Sequence, residues 1–241
     1  MRVIIVTQTF PPRFGGMQSV MSALAKNFSK TIATFVLPDH NIPESHPIRS
    51  YKIKFNFSKF PKFLRPLIKK IKLKKILKKD DIIICDSWKS LNAIPNTNNK
   101  VVMLAHGQEY LSKSKKKKIN KLLKKVSIVI SSSNYTKNIF LNICKFPENK
   151  IHVIPPTYEL ENDKIKIHNK SSNKKDLILT TISRLEERKG FLPVIKALKN
   201  LVEKKSINNF TWSIYGDGYL KEKMNKQINY YKLGKYIKIK N

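Results

Sequence analysis

VIIV (3–6) is a short, unbroken apolar run, and further short runs follow along the chain: TIATFVL (31–37), YKIKF (51–55), DIIIC (81–85), VVMLA (101–105), SIVIS (127–131) and IHVI (151–154). A run that is apolar without alternation suits a strand buried on both faces, as in a parallel sheet. Between several of them the period changes. After Gly15 and Gly16, the residues Met17, Val20, Met21, Leu24, Ala25 and Phe28 recur at helical spacing. Strands alternating with helices predict a doubly wound α/β architecture, since parallel neighbours need a crossover.

The pattern then pauses and restarts. Residues 155–175, PPTYELENDKIKIHNKSSNKK, carry paired prolines and a polar, low-complexity tail, and read as a linker. Beyond it come a strand (DLILTTIS, 176–183), a helix (191–205) with Leu192, Ile195, Leu198 and Val202 on one face, a second strand (FTWSIYG, 210–216), a second helix (219–232) and a third strand (YIKIK, 236–240). Two units are expected: a complete Rossmann-like domain over 1–168 and a partial one over 176–241. The second is short beside the usual domain of about 100–150 residues, and it would present an unpaired sheet edge.

The formal net charge is +33, which attracts polyanions such as nucleic acid, anionic lipid or phosphorylated substrates. Only six of the 49 basic residues are Arg, at 2, 13, 49, 65, 184 and 188. A nucleic-acid reader favours the planar Arg fork, and no nucleic-acid motif is present. Most of the charge therefore reads as a solvated lysine surface, the drift expected of A/T-rich coding, with membrane attraction second. Nucleic acid is not expected as a partner. Cys85 and Cys144 lie in or beside apolar segments without metal-type spacing, which suits a reducing, cytoplasmic setting. The opening MRVIIVTQTF lacks the form of a signal peptide, and no run reaches the roughly 18 apolar residues of a spanning helix. The chain is expected in the cytoplasm, either free or at the inner face of a membrane.

Two stretches are heavily basic, FLRPLIKKIKLKKILKK (63–79) and SKSKKKKINKLLKKV (112–126). Both read as helices covering the sheet with a lysine face outward. In the first, Leu64, Leu67, Ile68 and Ile71 are followed by Leu73, Ile76 and Leu77, so its apolar stripe slips by about one residue. A helix packed on the sheet is the first reading, and a membrane-docking helix the second.

Ligands of a doubly wound sheet bind beyond the carboxyl ends of its strands. Four candidates lie there. Gly15 and Gly16 remove side-chain obstruction just where a helix aims free N–H groups outward, so an anion or a sugar edge fits. A turn that merely needs positive φ fits equally well. His106, followed by Gly107 after VVMLA, can face a cleft or serve only the fold. Arg184 and Lys189, in SRLEERKG (183–190), can clamp a diphosphate near a helix start, or be ordinary loop charges. Gly216-Asp217-Gly218 is a turn signal between strand and helix. Two such units would turn glycines from one side and cations from the other toward a shared cleft.

In order and spacing the series resembles the family 4 glycosyltransferases of GT-B fold, retaining enzymes that use nucleotide-activated sugars. The resemblance rests on Pro-Pro and Gly-Gly after the opening strand, His106-Gly107, SSSNYTKNIF (131–140), KIHVIPP (150–156), RLEERKG (184–190) and Gly216-Asp217-Gly218. It covers nearly the whole chain. It implies a GT-B-like fold and an NDP-sugar donor with a glycan or lipid-linked glycan acceptor, as in surface polysaccharide assembly. Gly15 and Gly16 would lie by the donor phosphates and the acceptor, His106 near the transferred sugar, and Gly216 near the nucleotide. Arg184 and Lys189 would neutralise the diphosphate leaving group, so no metal or other cofactor is expected.

There are two departures. Pro156-Thr157 stands where the family commonly has Asn-Gly after Val-Ile-Pro. The family's Glu-x7-Glu element, expected beyond Gly-Asp-Gly, has no counterpart before Asn241. This chain would then be weak or inactive unless a second polypeptide completes the donor side. The alternative is a non-catalytic remnant, or one half of a split transferase, that binds acceptor or partner.

Overall fold

A computed structural model describes residues 1–13, 15–39, 52–53, 57, 59–156, 177–207 and 209–240. The chain divides into two units, Met1–Asp163 and Lys164–Asn241. The stretch read as a linker lies mostly outside the described residues.

Seven parallel strands form the sheet of the first unit, in the order β3-β2-β1-β4-β5-β6-β7. They are β1 (Val3–Val6), β2 (Thr34–Leu37), β3 (Lys52–Ile53), β4 (Ile82–Cys85), β5 (Lys100–Ala105), β6 (Ile128–Ser131) and β7 (Ile151–Val153). All seven expected runs appear as strands. That read at 51–55 is described only at Lys52 and Ile53, the rest lying outside the described residues. β1 is an interior strand, between β2 and β4, and all four of its residues are buried. Their side chains alternate between two cores. Ile4 and Val6 join one with Ile83, Cys85, Val101, Met103 and Val129; Val3 and Ile5 join the other with Val36, Ile84 and Leu104.

Helices cover these faces unequally. α1 (Gly16–Ser29) packs Met21 and Ala25 into the second core. α2 (Arg65–Ile76), α3 (Lys116–Leu123) and α4 (Asn134–Ile143) give Leu73, Ile119, Leu123, Phe140 and Ile143 to the first. α2 runs antiparallel to the strands. Near its start, Lys69 Nζ donates to the carbonyls of Thr7 and Leu37, at the carboxyl ends of β1 and β2 (2.8 and 2.9 Å). At its end, the Ile76 carbonyl accepts from Arg2 Nη2, at the opposite sheet edge. Arg2 also chelates Asp81. Burial pushes the Asp81 carboxyl up, but the Arg2 guanidinium and the Lys78 amide more than offset that and hold it below its ordinary value. A depressed carboxyl contributes stability above the unfolded-state range, and loses it as the pH falls through the folded value.

The second unit holds three parallel strands, β8 (Leu177–Ile182), β9 (Phe210–Tyr215) and β10 (Ile237–Lys240), in the order β10-β9-β8. α5 (Phe191–Glu203) and α6 (Lys221–Tyr230) share one core with Trp212, Ile214 and Ile237. Both helices therefore cover the same sheet face. On the other face, Ile178 and Ile182 stand 73% and 82% exposed. All five elements lie within a residue or two of their expected limits.

Candidate functional site

The carboxyl edge of the first sheet is organised by one carboxylate. Asp86 follows β4 and is fully buried. Its Oδ2 accepts from Thr7 Oγ1 (2.8 Å), Gln8 N (2.8 Å), Thr9 N (3.1 Å) and Thr9 Oγ1 (2.9 Å). Its Oδ1 accepts from Ser90 Oγ (2.5 Å). A buried carboxylate is tolerated when such donors replace its water. Asp86 thereby fixes the path of residues 7–9, which lead into the Pro-Pro-Gly-Gly loop.

Beneath that loop lies a buried cation. Lys69 is 2% exposed, pairs with Asp39, and lies 5.3 Å from the centre of the Phe57 ring. Burial pushes its ammonium pKa down, and the Asp39 carboxylate pulls it back part of the way. With its bond to the Thr7 carbonyl, Lys69 grips the same turn that Asp86 holds from the other side. Neither residue was singled out from the sequence. Asp86 carried a readable signal, an acidic residue directly after an apolar strand. Lys69 did not, being hidden among lysines.

His106 leaves β5 at this edge. Its Nε2 lies 2.9 Å from the Asp86 carbonyl, and its backbone N–H donates to Glu109 Oε1 (3.0 Å). A carbonyl can only accept, so Nε2 carries the proton and Nδ1 is the nitrogen left to meet a ligand. Gly107 has φ +106°, and a Cβ there would lie 3.0 Å from Thr136 Oγ1. The glycine after His106 thus serves close packing against the start of α4, whose cap is Ser133, accepting from Thr136 N.

Gly15 caps α1 with φ +151°, in the region that favours glycine. Gly16 has open space where a Cβ would sit. The first amides of α1 carry no side-chain cap at Gly15, and amides at a helix start have no intrahelical acceptor. The turn reading therefore accounts for Gly15 and leaves Gly16 to the approach of something else. Alongside, α1 and the second face of the sheet enclose a groove of about 450 Å³. Leu24, Phe28, Ile84, Leu104 and Ile130 line it, with His106 among its polar residues.

In the second unit, Ser183–Gly190 follows β8. Arg184 is exposed and pairs with Glu186 (Nη1 to Oε1, 2.9 Å), which also accepts from Arg188 Nε (2.6 Å). The Arg188 hydrogen bond holds the Glu186 carboxyl below its ordinary value, with Arg184 and Lys189 adding to it. The cation cluster thus contains Arg188 as well as the two expected residues, and a carboxylate already sits between the arginines. An incoming diphosphate would compete with Glu186. Lys189 is exposed, one residue before the left-handed Gly190 that starts α5.

Gly216 has φ +147°, and a Cβ there would fall 2.0 Å from the Ser183 carbonyl oxygen; at Gly218 it would fall 2.4 Å from that of Leu185. Leu185 N donates to the Asp217 carbonyl (2.9 Å), and Leu220 N to that of Leu185 (3.1 Å). The Gly-Asp-Gly turn is glycine-rich because it lies directly against the arginine loop. Among the described residues, no group of His, Cys, Asp or Glu is arranged to hold a metal ion.

Solved structures with this architecture are glycosyltransferases of GT-B fold. One is a lipopolysaccharide outer core galactosyltransferase, WaaB, 15% identical, with a TM-score of 0.64 over 99% of this chain and 67% of its own. Another is HepE of Anabaena, solved with UDP and glucose, 17% identical, with a TM-score of 0.69 over 99% of this chain and 68% of its own. A glycosyltransferase of Rickettsia africae, 22% identical, gives a TM-score of 0.69 over 99% and 68%. This chain thus spans about two thirds of the length of these proteins. The profile of Glycosyltransferase Family 4 matches residues 14–162, and the chain belongs to that family. Comparison with curated proteins finds no match.

Proposed function

We propose that this chain transfers a sugar from a nucleoside-diphosphate donor to a glycan or lipid-linked glycan, with retention at the anomeric carbon. The family match across residues 14–162 carries this reading. The anomeric carbon–oxygen bond to the β-phosphate breaks. The acceptor oxygen bonds to that carbon on the same face, and the acceptor proton passes to the leaving phosphate. His106 offers Nδ1 to the transferred sugar, its other nitrogen being committed to the Asp86 carbonyl. Gly15 and Gly16 admit the donor phosphates and acceptor to the start of α1. Arg184 and Lys189 meet the charge that grows on the diphosphate, where fixed cations act most strongly, and Gly216 lies near the nucleotide. The setting is the cytoplasm, either free or at the inner face of a membrane. Completion of the C-terminal, donor-side domain by a second polypeptide belongs to the same proposal.

The test is release of nucleoside diphosphate from a panel of NDP-sugars, with and without glycan acceptors. One donor should be consumed faster with acceptor present, and His106→Ala should lower that rate about 100-fold or more. Glycan binding without nucleotide-sugar binding would favour the non-catalytic reading.

A further inference from the structure

The slip in the apolar stripe of residues 63–79 resolves into two stripes on two sides of α2. Leu73 faces the core, with Ile68, Ile76 and Leu77 packed at its border. Phe60, Phe63, Leu64, Leu67 and Ile71 face solvent, with Phe63 79%, Leu67 55% and Ile71 51% exposed. At about 100° per residue, Leu64, Leu67 and Ile71 fall on one side of the helix, roughly opposite Leu73. Of the 16 exposed large hydrophobic residues described, five lie in this segment of 12, too dense a cluster for the single exposed apolar residues of an ordinary surface.

The ridge is also electrically distinct. Residues 59–79 contain nine Lys, one Arg and no Asp or Glu. Lys69 turns into the fold, whereas Lys62, Lys74, Lys75, Lys78 and Lys79 are exposed. Apolar side chains rimmed by cations match an anionic bilayer surface, where the ridge enters the acyl boundary and the ammonium groups meet lipid phosphates. The apolar end of α2 is its start, where Lys69 reaches the carboxyl ends of β1 and β2. The ridge thus lies toward the same sheet edge as Asp86 and His106.

We propose that the α2 ridge docks this protein on an anionic lipid surface and presents the carboxyl edge of the first sheet to acceptors carried in that membrane. The second part rests on the transfer reading, whereas lipid docking stands without it. The full chain is floated with phosphatidylcholine vesicles, and with vesicles containing phosphatidylglycerol. The wild type should float with the anionic vesicles only. Phe63→Ser/Leu67→Ser/Ile71→Ser, which keeps every charge and changes only exposed positions, should lose about tenfold in partitioning. Lys117→Gln/Lys118→Gln/Lys121→Gln on α3, which removes three charges and leaves the ridge intact, should stay within about twofold of wild type. A thermal melt identifies any variant that has lost its fold, and the milder Leu67→Ser alone then replaces the triple change. Equal loss in the ridge and α3 variants, or none in the ridge variant, would overturn the proposal and leave the overall charge as the cause. No step uses a nucleotide sugar, so failure here is separable from failure of the transfer reading.

Discussion

At the scale of single residues, two buried charges set the site edge. Asp86 gathers the Thr7 hydroxyl, the Gln8 amide, the amide and hydroxyl of Thr9 and the Ser90 hydroxyl, while its own carbonyl fixes the His106 ring. Replacing one carboxylate oxygen by an NH2 group would aim a donor at donors. Asp86→Asn should therefore destabilise the first unit by about 2–4 kcal/mol, read from urea midpoints at constant slope. It should also broaden the His106 ring resonances, a change that loss of stability alone would not produce in the folded protein. A variant with wild-type stability and an unchanged His106 would refute this role. The residues at this edge were only partly readable. His106 and the glycine pair stand out because they follow apolar runs, at the edge where a doubly wound sheet binds ligands, whereas Lys69 does not, because its chemistry shows only once burial singles it out from its neighbours.

At the scale of elements, an unbroken apolar run such as VIIV predicts its strand well because the first unit's parallel sheet buries both faces of β1. α2 was harder. Its inner and outer rows are both apolar, and a single-stripe reading turns two faces into one imperfect one. The Gly-Asp-Gly turn was legible as a turn but not for its cause, since the close approach of Ser183 comes from 33 residues upstream in sequence. Gly216→Ala would drive a methyl group into that carbonyl from a φ that alanine avoids. It should cost about 3 kcal/mol, seen as a lowered melting transition of the second unit, with weaker nucleotide binding. Gly16→Ala, with open space at its Cβ, should leave stability within about 0.5 kcal/mol of wild type. Equal destabilisation by both would contradict the packing described for these loops.

At the scale of the whole molecule, two parallel-sheet units place fold and family together. The order of motifs in the sequence carried that assignment because each motif sits at a strand's carboxyl end, where a doubly wound sheet presents its loops. What the order did not carry is the internal pairing of the cations: Glu186 between Arg184 and Arg188 became visible only in the folded loop. The lysine surface likewise divides, in the fold, into a solvated majority and one apolar-centred ridge.

The proposed transfer requires Arg184 and Lys189 to grip a diphosphate, and equilibrium titration of nucleotides by calorimetry tests this most directly. A nucleoside diphosphate should bind at least about tenfold more tightly than the matching monophosphate, and Arg184→Ala/Lys189→Ala should erase that difference while keeping the monophosphate affinity. Equal affinities for the two nucleotides in the wild type, or a preference that survives the double substitution, would contradict the account.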